Sequence, residues 1–345
     1  MATTLRSGLA TLAGRITTPL LPADYLDVIN PLLSGAQLRG RIVSVRPETH
    51  DAVTLVIKPG RGWKGHIPGQ FLRLGVEVDG VRHWRTYSLT SRPGDRFVSI
   101  TVKAVPGGIV SNHLVRHARA GAVVHLDQAA GEFTLPVPAP QKILFLTAGS
   151  GITPVMGMLR NMAAAADIVV VHSAPTPDET IFGTELRAMA DRGDIRLTEI
   201  HTRTQGRLDM DRLSESVDDL DERQVWACGP AGLLEMAETH WGADRLHTER
   251  FRTETVVTGD GGTVTFSDTG TVVEAEGDQS LLDAGEAAGV LMPSGCRMGV
   301  CFGCVAPLRR GAVRDLRNGA LTTAGDGVVV QTCVSGAAGD CDIEL

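Results

Sequence analysis

A chain of 345 residues is longer than one hydrophobic core usually supports, so two or three domains of about 100 residues each are expected. With 43% hydrophobic and 21% charged residues the composition excludes disorder, and no run of about 18 uncharged apolar residues offers a membrane span. Residues 1–139 carry +7, residues 140–262 carry −8 and residues 263–345 carry −6; the acidic end argues against nucleic acid and for docking to a basic protein surface.

The opening segment, to residue 37, holds Arg6, Arg15 and several Thr but no acid before Asp24, which superficially matches an organellar transit peptide. Four Lys against 29 Arg, with abundant Ala and Gly, instead favour a bacterial cytoplasm. From residue 38 to 139, short alternating apolar runs (RIVSV, AVTLVI, QFLRLGVEV, FVSITV, VVHL) predict an antiparallel β domain, ending at the Pro-rich stretch Pro136–Pro140. Residues 140–250 change pattern. KILFL, a Gly-rich turn, the helical VMGMLRNMAA and the strand IVVVH make a parallel α/β unit, continued by IRLTEI and QVWAC. Residues 251–262 form a connector, and residues 263–345 give a strand pair, the helix SLLDAGEAAGV and a small α+β module around cysteines.

Six cysteines are too few for a disulfide scaffold, and five crowd into the last 50 residues, four of them at metal-ligand spacing, which reads as metal binding in a reducing compartment. The run SGCRMGVCFGC places four residues between Cys296 and Cys301 and two between Cys301 and Cys304, with Cys333 as the fourth ligand. That is plant-type [2Fe-2S] spacing. Gly295, Gly299 and Gly303 let backbone N–H groups approach the sulfurs. Structural zinc also accepts four thiolates, but usually from two short Cys pairs without a Gly-lined loop. Cys341 falls outside the spacing and reads as a packed thiol. The module resembles plant-type ferredoxin, which implies a β-grasp fold.

In the β domain, Arg85-Thr86-Tyr87-Ser88 offers a cationic fork for pyrophosphate, an aromatic ring for a flavin face and a hydroxyl for its edge. Gly107 and Gly108 open a helix toward anionic phosphate, with Ser111 as a further donor. In the α/β unit, Gly149, Gly151, Thr153 and Pro154 shape a turn at the carboxyl end of a parallel strand, where a dinucleotide phosphate can sit. Cys228-Gly229-Pro230 is a second such turn.

Together these runs resemble the ferredoxin-NADP reductase superfamily from Leu38 to Phe251. The resemblance implies a β-barrel domain holding FAD through Arg85, Thr86, Tyr87, Ser88, Gly107, Gly108 and Ser111, with Phe251 covering the flavin. It also implies a nicotinamide placed by Gly149, Gly151, Thr153, Pro154, Gly229 and Pro230, with Ser88 and Cys228 at the hydride-transfer site. An acid after the second strand would select NADH, but His172-Ser173-Ala174-Pro175 has none. Arg203 and Arg207 after the third strand favour NADPH and leave NADH open, with Ser173 as a further coenzyme contact; many members of the superfamily place an Arg at the position of Pro175.

Hydride arrives as an electron pair and an iron-sulfur cluster accepts single electrons, so FAD is required between them. The expected current runs from NAD(P)H to FAD to [2Fe-2S] to a redox protein partner. LLPADYLDVINPLLSGAQLRGRIV resembles the N-terminal extension of actinobacterial reductases serving membrane di-iron fatty-acyl desaturases, which implies such a partner and a cytoplasmic protein peripheral to the membrane through it. A Rieske oxygenase, an alkane hydroxylase and a cytochrome P450 remain alternatives, as does a non-enzymatic redox sensor.

Overall fold

The computed structural model describes residues 30–33, 37–162, 166–251, 259–295, 297, 299 and 302–345. The chain packs as two compact units. One holds the described residues to Arg82 with Tyr87–Trp226, and the other holds His83–Thr86 with the described residues from Ala227.

The first sheet comprises β1 (Arg39–Thr49), β2 (Ala52–Pro59), β3 (Phe71–Val78), β4 (Val81–Ser88), β5 (Val98–Lys103) and β6 (Val123–Leu126), in the order β4-β3-β6-β1-β2-β5. Its β1–β2, β2–β5, β1–β6 and β3–β6 ladders are antiparallel. An antiparallel bridge between Leu89 and Ile100 brings the two edges of the sheet together, as a barrel requires. Two register shifts between β1 and β2, one beside Pro47, add the bend and twist that closure needs. Ile42, Leu55, Ile57, Leu72, Leu74 and Ile100 fill the interior. Helix α1 (Ile109–His117) adds Val110 and Leu114, four residues apart on one face.

The second sheet contains β7 (Lys142–Ala148), β8 (Asp167–Ala174), β9 (Arg196–His201), β10 (Gln224–Cys228) and β11 (Leu246–Glu249), ordered β11-β10-β7-β8-β9. β7, β8 and β9 are parallel. The runs Ile143–Leu146 and Ile168–Val171 are buried throughout, as strands covered on both faces must be. Helices α2 (Ile152–Leu159), α3 (Gly183–Asp191), α4 (Thr202–Gln205), α5 (Met210–Ser216) and α6 (Ala231–His240) connect the strands. The strand order reverses at the β7/β10 pair, where open α/β sheets bind ligands beyond the strand carboxyl ends. At the opposite, amino end, the fully buried Arg223 donates to both carboxylate oxygens of Asp219, to the Asp167 carboxylate, and to the carbonyls of Asp167 and Ile143.

The C-terminal module contains β12 (Gly262–Phe266), β13 (Thr271–Ala275), α7 (Leu281–Ala287), β14 (Val305–Arg310), β15 (Ala312–Asp315), β16 (Leu321–Thr323), β17 (Val329–Gln331), β18 (Ser335–Ala337) and β19 (Cys341–Ile343). They form a mixed sheet, β13-β12-β19-β14-β17, and a small one, β16-β15-β18. In the mixed sheet the β12–β19 pair is parallel, whereas β12–β13, β14–β17 and β14–β19 are antiparallel. Helix α7 starts on a reciprocal cap: Ser280 Oγ accepts from the Asp283 N–H at 3.1 Å and donates to its carboxylate at 2.7 Å. Leu281 and Leu282 then join Val264, Phe266, Leu308 and Ile343 in the core. The fully buried Cys341 belongs to that core, and burial pushes its thiol up to about 11, as a packed thiol requires. Among the described residues no helix is long and apolar enough to cross a membrane.

Candidate functional site

The run expected to bind flavin lies at the end of β4, an edge strand in the sheet order. Arg85 Nη1 donates to the carbonyl of Trp84 at 2.8 Å, and Tyr87 packs half-buried against the barrel core. Ser88 is buried, yet among the described residues its Oγ has no hydrogen-bond partner. A sealed hydroxyl without a partner is costly unless a ligand completes it. The turn before α1 shows a complementary opening. Gly107 adopts φ +70°, and a Cβ there would meet nothing within 4 Å. Gly108 is the extended N-cap of α1 without a side-chain cap, so the first-turn N–H groups are open to an anion. Ser111 Oγ accepts from the Val105 N–H at 3.3 Å, and Asn112 Nδ2 donates to the carbonyls of Val105 and Gly108 at 2.8 and 2.7 Å. These bonds fix the turn, and a side chain at Gly108 would strike Ser111 and Val105. An aromatic ring, an orphan hydroxyl and an open phosphate cradle fit a flavin nucleotide.

Beyond β7, Gly149–Gly151 form a 3-10 turn that runs directly into α2. Gly149 has φ +55°, and a Cβ added to it would meet nothing within 4 Å. Helix α2 carries neither a side-chain cap nor an acid in its first turn. The buried Thr153 donates from Oγ1 to the Ser150 carbonyl at 2.9 Å, and Pro154 is buried beside it. Ser173 is buried at the end of β8. Its neighbour His172 shares a hydrogen at 2.8 Å between Nδ1 and Thr147 Oγ1, while Nε2 has no partner among the described residues. Burial pushes His172 down to about 4, so the ring is neutral at pH 7. Arg203 donates its N–H to the Pro175 carbonyl at 3.1 Å, and its guanidinium pairs with Glu179 at 3.3 Å. That cation is thus already shared with a carboxylate, whereas Arg207 is exposed in the following loop.

At the end of β10 Cys228 is fully buried; burial, and after it the charge of Glu249, raise its thiol well above the ordinary value. Pro230 is the N-cap of α6, and its carbonyl accepts from Leu233 and Leu234. Glu249, the last residue of β11, was not singled out by its sequence context. Its Oε2 is sealed without a partner among the described residues, and burial pushes its carboxyl up to about 8. At pH 7 this group therefore carries a proton beside a thiol. Phe251 follows two residues later, half-buried.

Of the four cysteines expected to hold a cluster, Cys296 and Cys301 lie outside the described residues. Cys304 and Cys333 are buried with their sulfurs 3.2 Å apart. That separation exceeds a disulfide bond of about 2.05 Å, so both are free thiols that a metal group could take as ligands. Thr332 holds the Cys304 carbonyl through both its N–H and its Oγ1, at 3.1 and 3.0 Å. Gly299 has φ +72°, and its carbonyl accepts from Gln331 Nε2 at 2.9 Å and Arg317 Nη1 at 3.4 Å. A Cβ at Gly299 would collide with Arg317 and Val334. Arg297 and Phe302 also have positive φ, at 59° and 54°, which marks the loop as held against local preference.

Two nucleotide sites and a cysteine loop on these folds define a class: modular electron-transfer oxidoreductases using FAD, NAD(P)H and a [2Fe-2S] cluster. Family models agree segment by segment: an oxidoreductase FAD-binding domain over residues 43–135, an oxidoreductase NAD-binding domain over 145–239 and a 2Fe-2S iron-sulfur cluster binding domain over 264–337. The chain belongs to the family that includes the NADPH oxidoreductase of Mycobacterium tuberculosis, with which it is 52% identical over 97% of its own length and 91% of the relative's. It is also 31% identical to the glycine betaine monooxygenase reductase subunit of Pseudomonas aeruginosa, over 89% of this chain and 96% of that one. Phthalate dioxygenase reductase, a modular structure for electron transfer from pyridine nucleotides to [2Fe-2S], superposes with a TM-score of 0.65 at 26% identity, covering 90% of this chain and 98% of that one.

Proposed function

We propose that this protein draws hydride from NADPH and delivers single electrons through its cluster to an oxygen-activating partner, a membrane di-iron fatty-acyl desaturase. Bound FAD supplies the conversion between paired and single electrons. The observation that carries the electron path is the chain order of three sites, each of which fits its group. In this reading Arg85 and the α1 turn at Gly107, Gly108 and Ser111 hold the flavin phosphates, with Thr86 beside them, and Tyr87 and Phe251 cover the ring. Ser88 gives its orphan hydroxyl to the flavin edge. Gly149, Gly151, Thr153, Pro154, Gly229 and Pro230 hold the dinucleotide. Cys228, kept neutral by burial, packs against the nicotinamide, and Glu249 keeps a proton nearby.

NADPH over NADH is supported by Ser173, Arg203 and Arg207, by the absence of an acid after β8, and by the name of the mycobacterial relative. The desaturase is supported by the resemblance of the opening segment, whose first 29 residues lie outside the described ones. A second reading, a soluble oxygenase component, is supported by the relatives named as monooxygenase reductases. The domain bounds proposed are 1–37, 38–139, 140–250, 251–262 and 263–345.

Titration of the purified protein with NADPH, and separately with NADH, tests the coenzyme while flavin absorbance and the cluster's electron paramagnetic resonance are followed. NADPH is expected to reduce both at lower concentration; equal response to NADH would overturn that choice. For the partner, deletion of residues 1–34 is expected to lower turnover of a membrane desaturase and leave dye reduction unchanged. Full coupling by the truncated protein, or coupling only to a soluble oxygenase, would favour the second reading.

A further inference from the structure

One guanidinium ties the nicotinamide half of the first unit to its flavin half. Arg160 caps the C-terminus of α2, the helix that starts at the Gly149–Gly151 turn. Its Nε and Nη2 form a two-pronged pair with Glu185 in the first turn of α3, at 2.8 and 2.5 Å. The guanidinium carbon lies 4.9 Å from the ring centre of the buried Phe182. The remaining prong, Nη1, donates to the Thr90 carbonyl at 2.5 Å. Thr90 stands two residues after Ser88, on the chain leaving the flavin strand. The connection is returned, because Arg92 Nε donates to the Arg160 carbonyl at 2.9 Å.

Packing beneath these bonds leaves no slack. Gly157, one turn earlier on α2, lies so close to the Leu89 carbonyl that a Cβ there would overlap it. The Leu89 N–H in turn donates to the Gln70 carbonyl at 2.8 Å. From the other side, Glu48 on β1 accepts from Thr54 at 2.6 Å and lies against the Phe182 backbone N–H. Phe182 has φ +60°, an uncommon conformation for an aromatic residue, which these contacts hold in place. A two-pronged carboxylate pair restricts a guanidinium in both position and plane. Thr153, at the dinucleotide turn, is four residues from Gly157, about 6 Å along the helix, and Leu89 adjoins Ser88.

We propose that Arg160 is a positioning residue for hydride transfer, fixing α2, whose other end starts at the nicotinamide turn, against the chain that carries Ser88. This rests on the reading that NADPH reduces the flavin at these two sites. Hydride transfer falls steeply when donor and acceptor separate, and a displacement of 1 Å costs as much as about 100-fold. The partners of Arg160 are Glu185, Thr90, Phe182 and Arg92, none of them a residue proposed to hold flavin or coenzyme, so its loss is expected to act on geometry and not on binding.

The test uses the flavin-loaded full chain and rapid anaerobic mixing with NADPH. Wild type, Arg160→Ala, Arg160→Lys and Gly157→Ala are compared per bound flavin. Arg160→Ala is expected to lower the limiting rate of flavin bleaching about tenfold, to leave the half-saturating NADPH concentration within about twofold, and to weaken the long-wavelength nicotinamide–flavin charge-transfer absorbance. Lys, which keeps the charge but not the fork, is expected to fall between. Hydrogen exchange without NADPH is expected to rise at residues 89–92 and 157–160 in Arg160→Ala. Should the Ala variant not fold, Arg160→Lys and the exposed Arg92→Ala carry the same comparison. Unchanged limiting rates and charge-transfer absorbance in folded variants would overturn the positioning role. Failure of NADPH to bleach the wild-type flavin would instead overturn the reading beneath it.

Discussion

The nicotinamide turn and the cluster loop both turn on a glycine of positive φ, yet their surroundings are opposite. Gly149 faces open space where a Cβ would stand, whereas Gly299 faces Arg317 and Val334 and has its carbonyl bonded by Gln331 and Arg317. The open turn suits a coenzyme that enters and leaves at every turnover. The closed loop suits a group that stays, held by thiolates whose conformation the rest of the module enforces. The same backbone device thus suits a diffusible ligand in one region and a resident cluster in the other.

The largest effect expected from breaking the closed side is Cys304→Ser. It should abolish the cluster's paramagnetic signal and reduction of a one-electron protein acceptor such as cytochrome c, while NADPH still bleaches the flavin. Next comes the pair that sets the regions against each other. Gly299→Ala should lower the iron content of purified protein severalfold, because the methyl group meets Arg317 and the backbone is strained. Gly149→Ala should leave iron content unchanged. It should cost about 1 kcal/mol of stability through its φ and raise the KM for NADPH, since the new methyl group points into the space left for the ligand.

A third expectation concerns the half-buried acid Glu249. Glu249 is protonated in the folded protein up to about pH 8, whereas an unfolded glutamate ionises near pH 4.5. Its contribution is therefore most favourable below about 4.5 and is lost as pH rises through about 8. Glu249→Gln should flatten that part of the stability profile between pH 5 and 8, measured by thermal unfolding, and should remove any ionisation near pH 8 from the flavin-reduction rate. An unchanged profile would assign the ionisation elsewhere. The smallest effect is expected at the exposed rim. Arg207→Ala should reduce the NADPH-over-NADH preference about tenfold or less, read as the ratio of kcat/KM values, with no change in cluster or flavin content.

What was legible in the sequence were signals carried by spacing within one stretch of chain: the cysteine intervals, the Arg-x-Tyr-Ser run, and the glycine turns after KILFL and QVWAC. The alternating and continuous apolar runs likewise gave the antiparallel and parallel sheets, because burial on one face or two is written at short range. Glu249 was not legible. It ends a short strand, LHTE, that is largely exposed, and only the fold seals one of its oxygens. Arg223 was hidden for the same reason: its partners Asp167 and Ile143 are 56 and 80 residues away. The clamp at Arg160 joins residues separated by 70 positions, and nothing in VMGMLRNMAA marks that arginine apart from a solvated helix end. Arg203 stands in the sequence as a cation free for phosphate, while its pairing with Glu179 depends on a helical turn after β9 and a 3-10 turn after β8 that meet only in the folded sheet.

The electron order is tested most directly by mixing the oxidised protein with one equivalent of NADPH without oxygen, following flavin absorbance by stopped flow and the cluster by freeze-quench paramagnetic resonance. Flavin bleaching is expected first, with the cluster signal growing afterwards, and in Cys304→Ser the flavin is expected to bleach and remain reduced with no cluster signal. A cluster signal that precedes flavin bleaching, or that appears in protein stripped of flavin, would contradict the path from nicotinamide through flavin to the four cysteines.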